Sequence, residues 1–192
     1  MTIATSSGVS ARERLLRAAD ELFYEEGIHT VGIDRIIERA GVAKATLYSA
    51  FGSKDELVRA YLRERHERNQ ERMERLLSER YGSAHERLIG IFELQGENFV
   101  PGFKGCAFMT ASAESASGGT VEEESDEFRA WLLGLFTGLA REAGAPDPEL
   151  LGRQLHILYD GASIAAWMDR DPTVADTAQR VARLLVEETL AA

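Results

Sequence analysis

The chain has a single cysteine, Cys106, among 192 residues. One thiol excludes an intramolecular disulfide framework and a cysteine-based zinc cluster. The four histidines, His29, His66, His85 and His156, have no metal-ligand spacing among themselves. No Ser-His-Asp order, P-loop or G-x-G-x-x-G after a strand is present, so the sequence offers an enzyme no catalytic groups and implies no cofactor. The longest mostly apolar uncharged stretch, residues 130–140, is too short to span a bilayer. The N-terminus has neither a basic region nor an apolar core of the kind a signal peptide needs. The expected location is therefore a reducing cytoplasm. Basic surplus is missing too: net charge is −10. Residues 1–60 hold 8 Lys/Arg against 9 Asp/Glu, a net −1, and residues 61–192 hold 14 against 23, a net −9. Bulk attraction to nucleic acid is excluded, so any contact with phosphate must use locally placed cations and helix N-termini.

What is present is helical. A hydrophobic fraction of 44% and a charged fraction of 28% are ordinary for a globular protein with a real core. No strand pattern and no internal repeat stands out. Residues 1–9 are small and polar and read as a flexible tail. Ser10 and Glu13 form a capping box that opens a helix with Leu15, Leu16, Ala19, Leu22 and Phe23 as its buried stripe, ended by Gly27. Ile33, Ile36, Ile37 and Ala40 mark a short amphipathic helix that stops at Gly41. A second short helix is expected over 43–50. Val42, Leu47 and Phe51 anchor it, while Ala45, Thr46, Tyr48 and Ser49 point away and Lys44 flanks them. Two short helices joined by a glycine turn make a helix-turn-helix. A helix held by its back with a small polar front can enter a major groove.

Further along, Ser53 with Glu56 and Ser83 with Glu86 repeat the capping box, opening helices expected over 54–80 and 84–99. The first of these is dense in charge at its middle, with Glu64/Arg68 and Glu71/Arg75 in the favourable i, i+4 order. PGFKG at 101–105 is a turn. The segment after it reads as a shorter helix lining the interior, and GGT at 118–120 breaks the chain. A helix over 122–143 starts with Glu122, Glu123 and Glu124 in its first turn. Asp147-Pro148 and Asp171-Pro172 each place an N-cap aspartate before a proline at the first helical position. The helix over 148–168 is nearly all apolar or small after Leu155, which an outer helix of a monomer would not be.

Residues 27–62, GIHTVGIDRIIERAGVAKATLYSAFGSKDELVRAYL, resemble the DNA-binding domain of the TetR family of transcriptional regulators. Ile36, Ala40, Gly41, Val42, Lys44, Thr46, Leu47, Tyr48, Phe51, Ser53, Lys54 and Leu57 carry the likeness. Ala50 departs from it where the family often has His or Tyr, and Gly32 departs where Ser or Thr often caps the first motif helix. Matches to the motif cover about a third of the chain.

The resemblance implies an all-α protein: an N-terminal three-helix helix-turn-helix domain over 10–52 and a six-helix ligand-binding and dimerisation domain over 53–192. In such a protein Ala43, Lys44, Ala45, Thr46 and Ser49 are the candidates for base edges. Tyr48 and Lys54 are the candidates for phosphate, with Arg35 and Arg39 as further cations. The long helix from 54 would link the head to the sensing body. A small-molecule pocket in the body would have Phe99, Met109 and Trp131 among its apolar walls. Cys106, Thr110, His156 and Tyr159 would be its polar fixings, although most of the body's aromatic and methionine side chains are core first. Two chains would pair through the helices Pro148–Met168 and Pro172–Leu190. The expected partners are double-stranded operator DNA and a small-molecule effector whose binding releases a repressor. A helical ligand- or partner-binding protein with a head that no longer binds DNA is the alternative.

Overall fold

The computed structural model describes residues 9–191. Most of the tail expected over 1–9 lies outside them. Nine helices are present among the described residues, with no strand: α1 (Ala11–Glu26), α2 (Ile33–Ala40), α3 (Lys44–Phe51), α4 (Lys54–Arg80), α5 (Ala84–Gly96), α6 (Ala107–Glu114), α7 (Thr120–Glu142), α8 (Pro148–Asp169) and α9 (Val174–Ala191). They pack as two compact units. One takes the chain up to Arg65 together with Ala107–Ser125, and the other takes His66–Cys106 with 126 onward. The helices α4 and α7 thus contribute to both.

Several boundaries differ from the sequence reading, each for a local reason. Ala43 has extended backbone (φ −73°, ψ 151°) and caps α3 rather than joining it. The helix expected to reach 99 ends at Gly96, and the amides of Asn98 and Phe99 instead close tight turns onto the carbonyls of Gln95 and Gly96. The glutamate helix starts two residues early, at Thr120, because the Glu122 carboxylate accepts the Gly118 amide ahead of it.

The two Asp-Pro starts are not alike. Asp147 caps α8, accepting the Leu150 amide at 2.9 Å. Asp171 instead accepts the amide and hydroxyl of Thr173 (2.9 and 2.7 Å), so Pro172 sits in a turn and α9 begins at Val174. Both capping boxes at Ser10 and Ser83 form fully. At Ser53 the hydroxyl accepts the Glu56 amide (3.1 Å), while the Glu56 carboxylate turns to Arg59 (3.4 Å).

In the first unit α1 packs on α2 and α3. Its core is Leu15, Ala19 and Phe23 of α1, Ile36 of α2, Leu47 of α3 and Leu57, Tyr61 and Leu62 of α4. Phe23 meets Tyr61 edge to face at 5.4 Å between centroids. α4 is also held electrostatically. Arg65 binds Asp20 of α1 (2.6 Å) with its guanidinium over the ring of Tyr24 (4.2 Å). Arg59 and Arg63 converge on Glu124 of α7 at 3.4 and 2.7 Å. That carboxylate is only 2% exposed, so the two guanidiniums are what make its burial tolerable.

α6 belongs to this unit. Its Glu114 carboxylate accepts the His29 amide at 2.9 Å and lies against Gly27, whose backbone (φ 90°, ψ 153°) is open only to glycine. The second unit is an aromatic-centred bundle in which α9 packs on α5 and α8. Gly152 of α8 meets the backbone of Thr137 of α7 so closely that a side chain there would not fit.

Candidate functional site

The helix-turn-helix is built from its turn outward. Gly41 adopts the left-handed conformation (φ 62°, ψ 46°). Its amide bonds Glu38 O and the Val42 amide bonds Ile37 O (3.2 and 3.1 Å). This pair of bonds is the Schellman arrangement, which satisfies the last carbonyls of α2 and reverses the chain. Arg14 of α1 adds a third cap, donating from Nε to Ala40 O at 3.2 Å. Gly32 is the N-cap of α2 and supplies no side-chain cap, as the sequence suggested.

α3 is then set by its back. Leu47 and Phe51 are buried, while Ala43, Lys44, Ala45, Tyr48 and Ser49 are exposed and Thr46 is half-buried. Tyr48 is 46% exposed although it is aromatic, so its ring is not part of the core. No side chain caps α3, and of its first-turn amides that of Thr46 already donates to the Ala43 carbonyl at 2.9 Å.

The cations are less available than the sequence suggests. Lys44 bonds Asp34 at 3.0 Å, Arg39 bonds Glu21 at 2.6 Å, and Arg35 is paired with Glu26. Hydrogen bonding to Asp34 pushes the Lys44 pKa up, and Glu26 does the same for Arg35. Lys54 is half-buried, with its ammonium 6.0 Å from the ring centroid of Phe23. Sequence reasoning passed over Arg12 and Arg14 of α1. Arg12 stacks its guanidinium over Phe51 at 4.9 Å, and Arg14 is committed to carbonyls. Only the contacts reveal these roles, since on α1 both residues read as solvated surface.

Of the ligand candidates, Phe99, Cys106, Trp131, His156 and Tyr159 fall in the second unit, and Met109 and Thr110 fall with α6 in the first. Phe99 is buried and contacts Phe103, centroids 5.1 Å apart. Trp131 packs with His66 (5.5 Å) and Phe128 (5.7 Å). Tyr159 sits among Phe92 and Phe136 (6.2 and 6.1 Å). Burial pushes its phenol pKa up, and the nearby Cys106 and Asp160 add to the effect. His156 is buried with Nε2 3.9 Å from Asp160, which is itself bonded to Arg129 at 2.8 Å. Desolvation pulls the His156 pKa down, outweighing Asp160, and Arg129 adds to the lowering. Gln95, not singled out in the sequence, is buried and donates to Tyr159 O (2.7 Å) and Ser163 Oγ (2.9 Å). No cluster of metal-ligating side chains is found among the described residues. No described helix is long and apolar enough to cross a membrane.

A short helix presented on a glycine turn beside a supporting α1 defines a helix-turn-helix DNA-binding head. Residues 15–61 match the family model for bacterial regulatory proteins of the tetR family. The backbone is similar to the crystal structure of a TetR-family transcriptional regulator from Streptomyces coelicolor, at 34% identity and a TM-score of 0.87 over 94% of this chain and 96% of that one. The chain belongs to the TetR family, whose members are DNA-binding transcriptional regulators rather than enzymes. It is also 51% identical over 51 residues to the HTH-type transcriptional activator FasR of Mycolicibacterium smegmatis, across 27% of this chain and 23% of that one. It is 34% identical over 74 residues to the HTH-type transcriptional regulator YdgC of Bacillus subtilis, across 38% of each. The matches thus span about a quarter and under two-fifths of these two relatives.

Proposed function

We propose that this protein is a cytoplasmic homodimeric repressor that leaves its operator when a small molecule binds the second unit. The observation that carries the DNA half is α3 itself: an exposed face of small and hydroxylated side chains set on buried Leu47 and Phe51. Ala43, Lys44, Ala45, Thr46 and Ser49 meet base edges, their small size letting the helix go deep, and the Thr46 methyl suits thymine. Tyr48 and Lys54 take phosphates, Lys54 beside the N-terminus of α4.

Pairing through α8 and α9 is supported by an unpartnered apolar stripe. Leu150, Ile157, Gly161, Ile164 and Met168 fall within a narrow sector of α8, and Ile157 and Met168 are 66% and 69% exposed. On α9, Leu184 is 65% exposed beside Val181. A monomer leaves this surface in water, whereas a symmetric four-helix contact buries it. Two heads then read half-sites about 34–36 Å apart or a multiple of that. α4 and α7, which contribute to both units, are the route by which an effector acts on the heads. Effector and operator must then weaken each other by the same factor.

The test is a gel shift against the DNA upstream of the protein's own gene at low and moderate salt. Tyr48→Ala and Lys54→Ala should weaken binding across sequences and flatten its salt dependence. Unchanged binding by folded variants would defeat these assignments. Absence of binding by the wild type at both salt levels would favour a ligand-binding protein without DNA activity.

A further inference from the structure

The cations of the head differ in what holds them. Lys44, Arg35 and Arg39 are held by carboxylates, which neutralise the charge they fix. Arg12 is held by a ring instead. It is exposed in the first turn of α1, and its guanidinium lies over Phe51 at 4.9 Å from the centroid. No carboxylate pairs with it among the described residues. The acid beside it in sequence, Glu13, is occupied: it accepts the Ser10 amide at 2.8 Å and closes the capping box. A ring covers one face of a guanidinium and leaves the N–H donors at its edges, together with the whole charge. Arg12 is thus oriented without being neutralised. Its position relative to α3 is also fixed. Phe51 is the last residue of α3, one turn after Tyr48, so the stack sets Arg12 beside the end of that helix. Arg14 ties the same turn of α1 to the end of α2 through Ala40 O at 3.2 Å, and to Val9 O at 3.1 Å. A cation in a first turn opposes the helix dipole, so the charge of Arg12 gives α1 no stability.

We infer that Arg12 contacts a DNA phosphate beside the bases that α3 reads, edge-on through its guanidinium N–H groups while Phe51 holds its face. The DNA surface of the head then extends from α3 onto α1. The contact positions the head and carries no sequence information of its own. It needs no internal ion pair to open, which sets it apart from any contact through Lys44, Arg35 or Arg39. The inference rests on the DNA half of the proposed function, and the two fail in different ways.

The test is filter binding of the full-length protein across a series of salt concentrations. The probes are the duplex upstream of its own gene and a random duplex of equal length. Arg12→Leu keeps an apolar cover on Phe51 and suits a helix as well as arginine does, so it removes the charge alone. It should lower affinity severalfold for both duplexes. The slope of log affinity against log salt should become shallower by about 0.9 for each head engaged, with the melting temperature unchanged. Arg12→Gln should flatten the slope equally, whereas Arg12→Lys, which keeps a charge, should retain most of it. Arg17→Leu removes a charge about 140° further round the same helix and should leave the slope as it is. An unchanged slope in folded Arg12→Leu and Arg12→Gln overturns the contact, since the arginine then only covers Phe51. Equal flattening by Arg17→Leu also overturns it, since net charge rather than a contact is then at work. Wild-type protein that binds neither duplex at low salt overturns the DNA half of the proposed function and this contact with it.

Discussion

Replacing Gly27 by alanine tests how α6 is held to the first unit. Two independent costs meet at this residue. Its backbone, φ 90° and ψ 153°, lies where only glycine is at ease, and forcing a side chain there costs about 1–3 kcal/mol. The new Cβ would also overlap the Glu114 carboxylate, expelling it from the His29 amide. Losing that hydrogen bond and its fit costs about 0.5–1.5 kcal/mol more. Gly27→Ala should therefore destabilise by about 1.5–4.5 kcal/mol. In a Glu114→Ala background the steric part is already gone, so the same change should cost only the backbone share. The coupling energy in the double-mutant cycle is then about 0.5–1.5 kcal/mol. Urea unfolding measures it. Trp131 and Trp167 both lie in the second unit, so their fluorescence follows that unit while far-ultraviolet circular dichroism follows all helices. The loss should appear in the dichroism. Additive single effects, within about 0.3 kcal/mol, would refute the claim that Glu114 occupies the space beside Gly27.

Three further outcomes follow from the side-chain contacts. Asp34→Asn frees Lys44 without changing shape, so operator affinity should rise severalfold in a filter-binding assay. Its dependence on log salt should steepen by about 0.9 for each phosphate Lys44 then reaches. Glu124→Ala removes the buried acceptor between Arg59 and Arg63. The arginines are partly exposed and rehydrate, so the loss should be about 1–3 kcal/mol by thermal melting, while Glu124→Gln keeps most of it. His156 is held neutral by burial, its folded pKa below the unfolded value. Above pH about 6.5 both states are neutral and stability is complete. As pH falls below that, the unfolded chain takes up a proton the folded one resists, and stability declines until the folded pKa is passed. His156→Gln should remove that part of the acid slope in pH-dependent urea midpoints.

The helices and their order were legible because periodicity and capping are local. Ser10–Glu13 and Gly41 announce ends of α1 and α2 whatever the rest of the chain does. The start of α9 was not legible, because the Asp-Pro pair at 171–172 reads like the one at 147–148. The difference is Thr173, whose amide and hydroxyl engage the Asp171 carboxylate two residues away. The placement of α6 was also hidden. An apolar-then-polar run such as CAFMTASAES says that one face is buried, not which neighbours bury it. The contacts that decide it, Glu114 with His29 and the Ser112 hydroxyl with that of Ser125 at 3.0 Å, span separations no local pattern encodes. For the candidate DNA surface, the outward face of α3 was readable, since one helix fixes which side chains share a side. The state of its cations was not. Lys44, Arg35 and Arg39 look available in sequence, and each is spoken for by a carboxylate from another helix or a distant turn of the chain.

Those pairs bear on how the proposed operator reading works. Each must open, or share its cation, before a phosphate gains a full charge partner, so a single head starts with little electrostatic attraction. Exposed ion pairs are weak and exchange readily, so the pairs hold the side chains in place without locking them. On that reading, competition from Glu26 and Glu21 for Arg35 and Arg39 lowers affinity for every sequence alike, whereas Asp34 also competes for Lys44, one of the proposed base-edge residues of α3. On the proposed assignments, the consequence would be a head that binds poorly to arbitrary DNA and tightly only where base contacts add to the phosphate contacts. In the proposed dimer, two such heads joined through α8 and α9 would recover the lost affinity by simultaneous engagement, and only on DNA that offers both half-sites at the right spacing. In the proposed dimer the apolar stripe of α8 and the carboxylates beside Arg35 and Arg39 would serve one end: they would make binding depend on geometry and sequence rather than on charge.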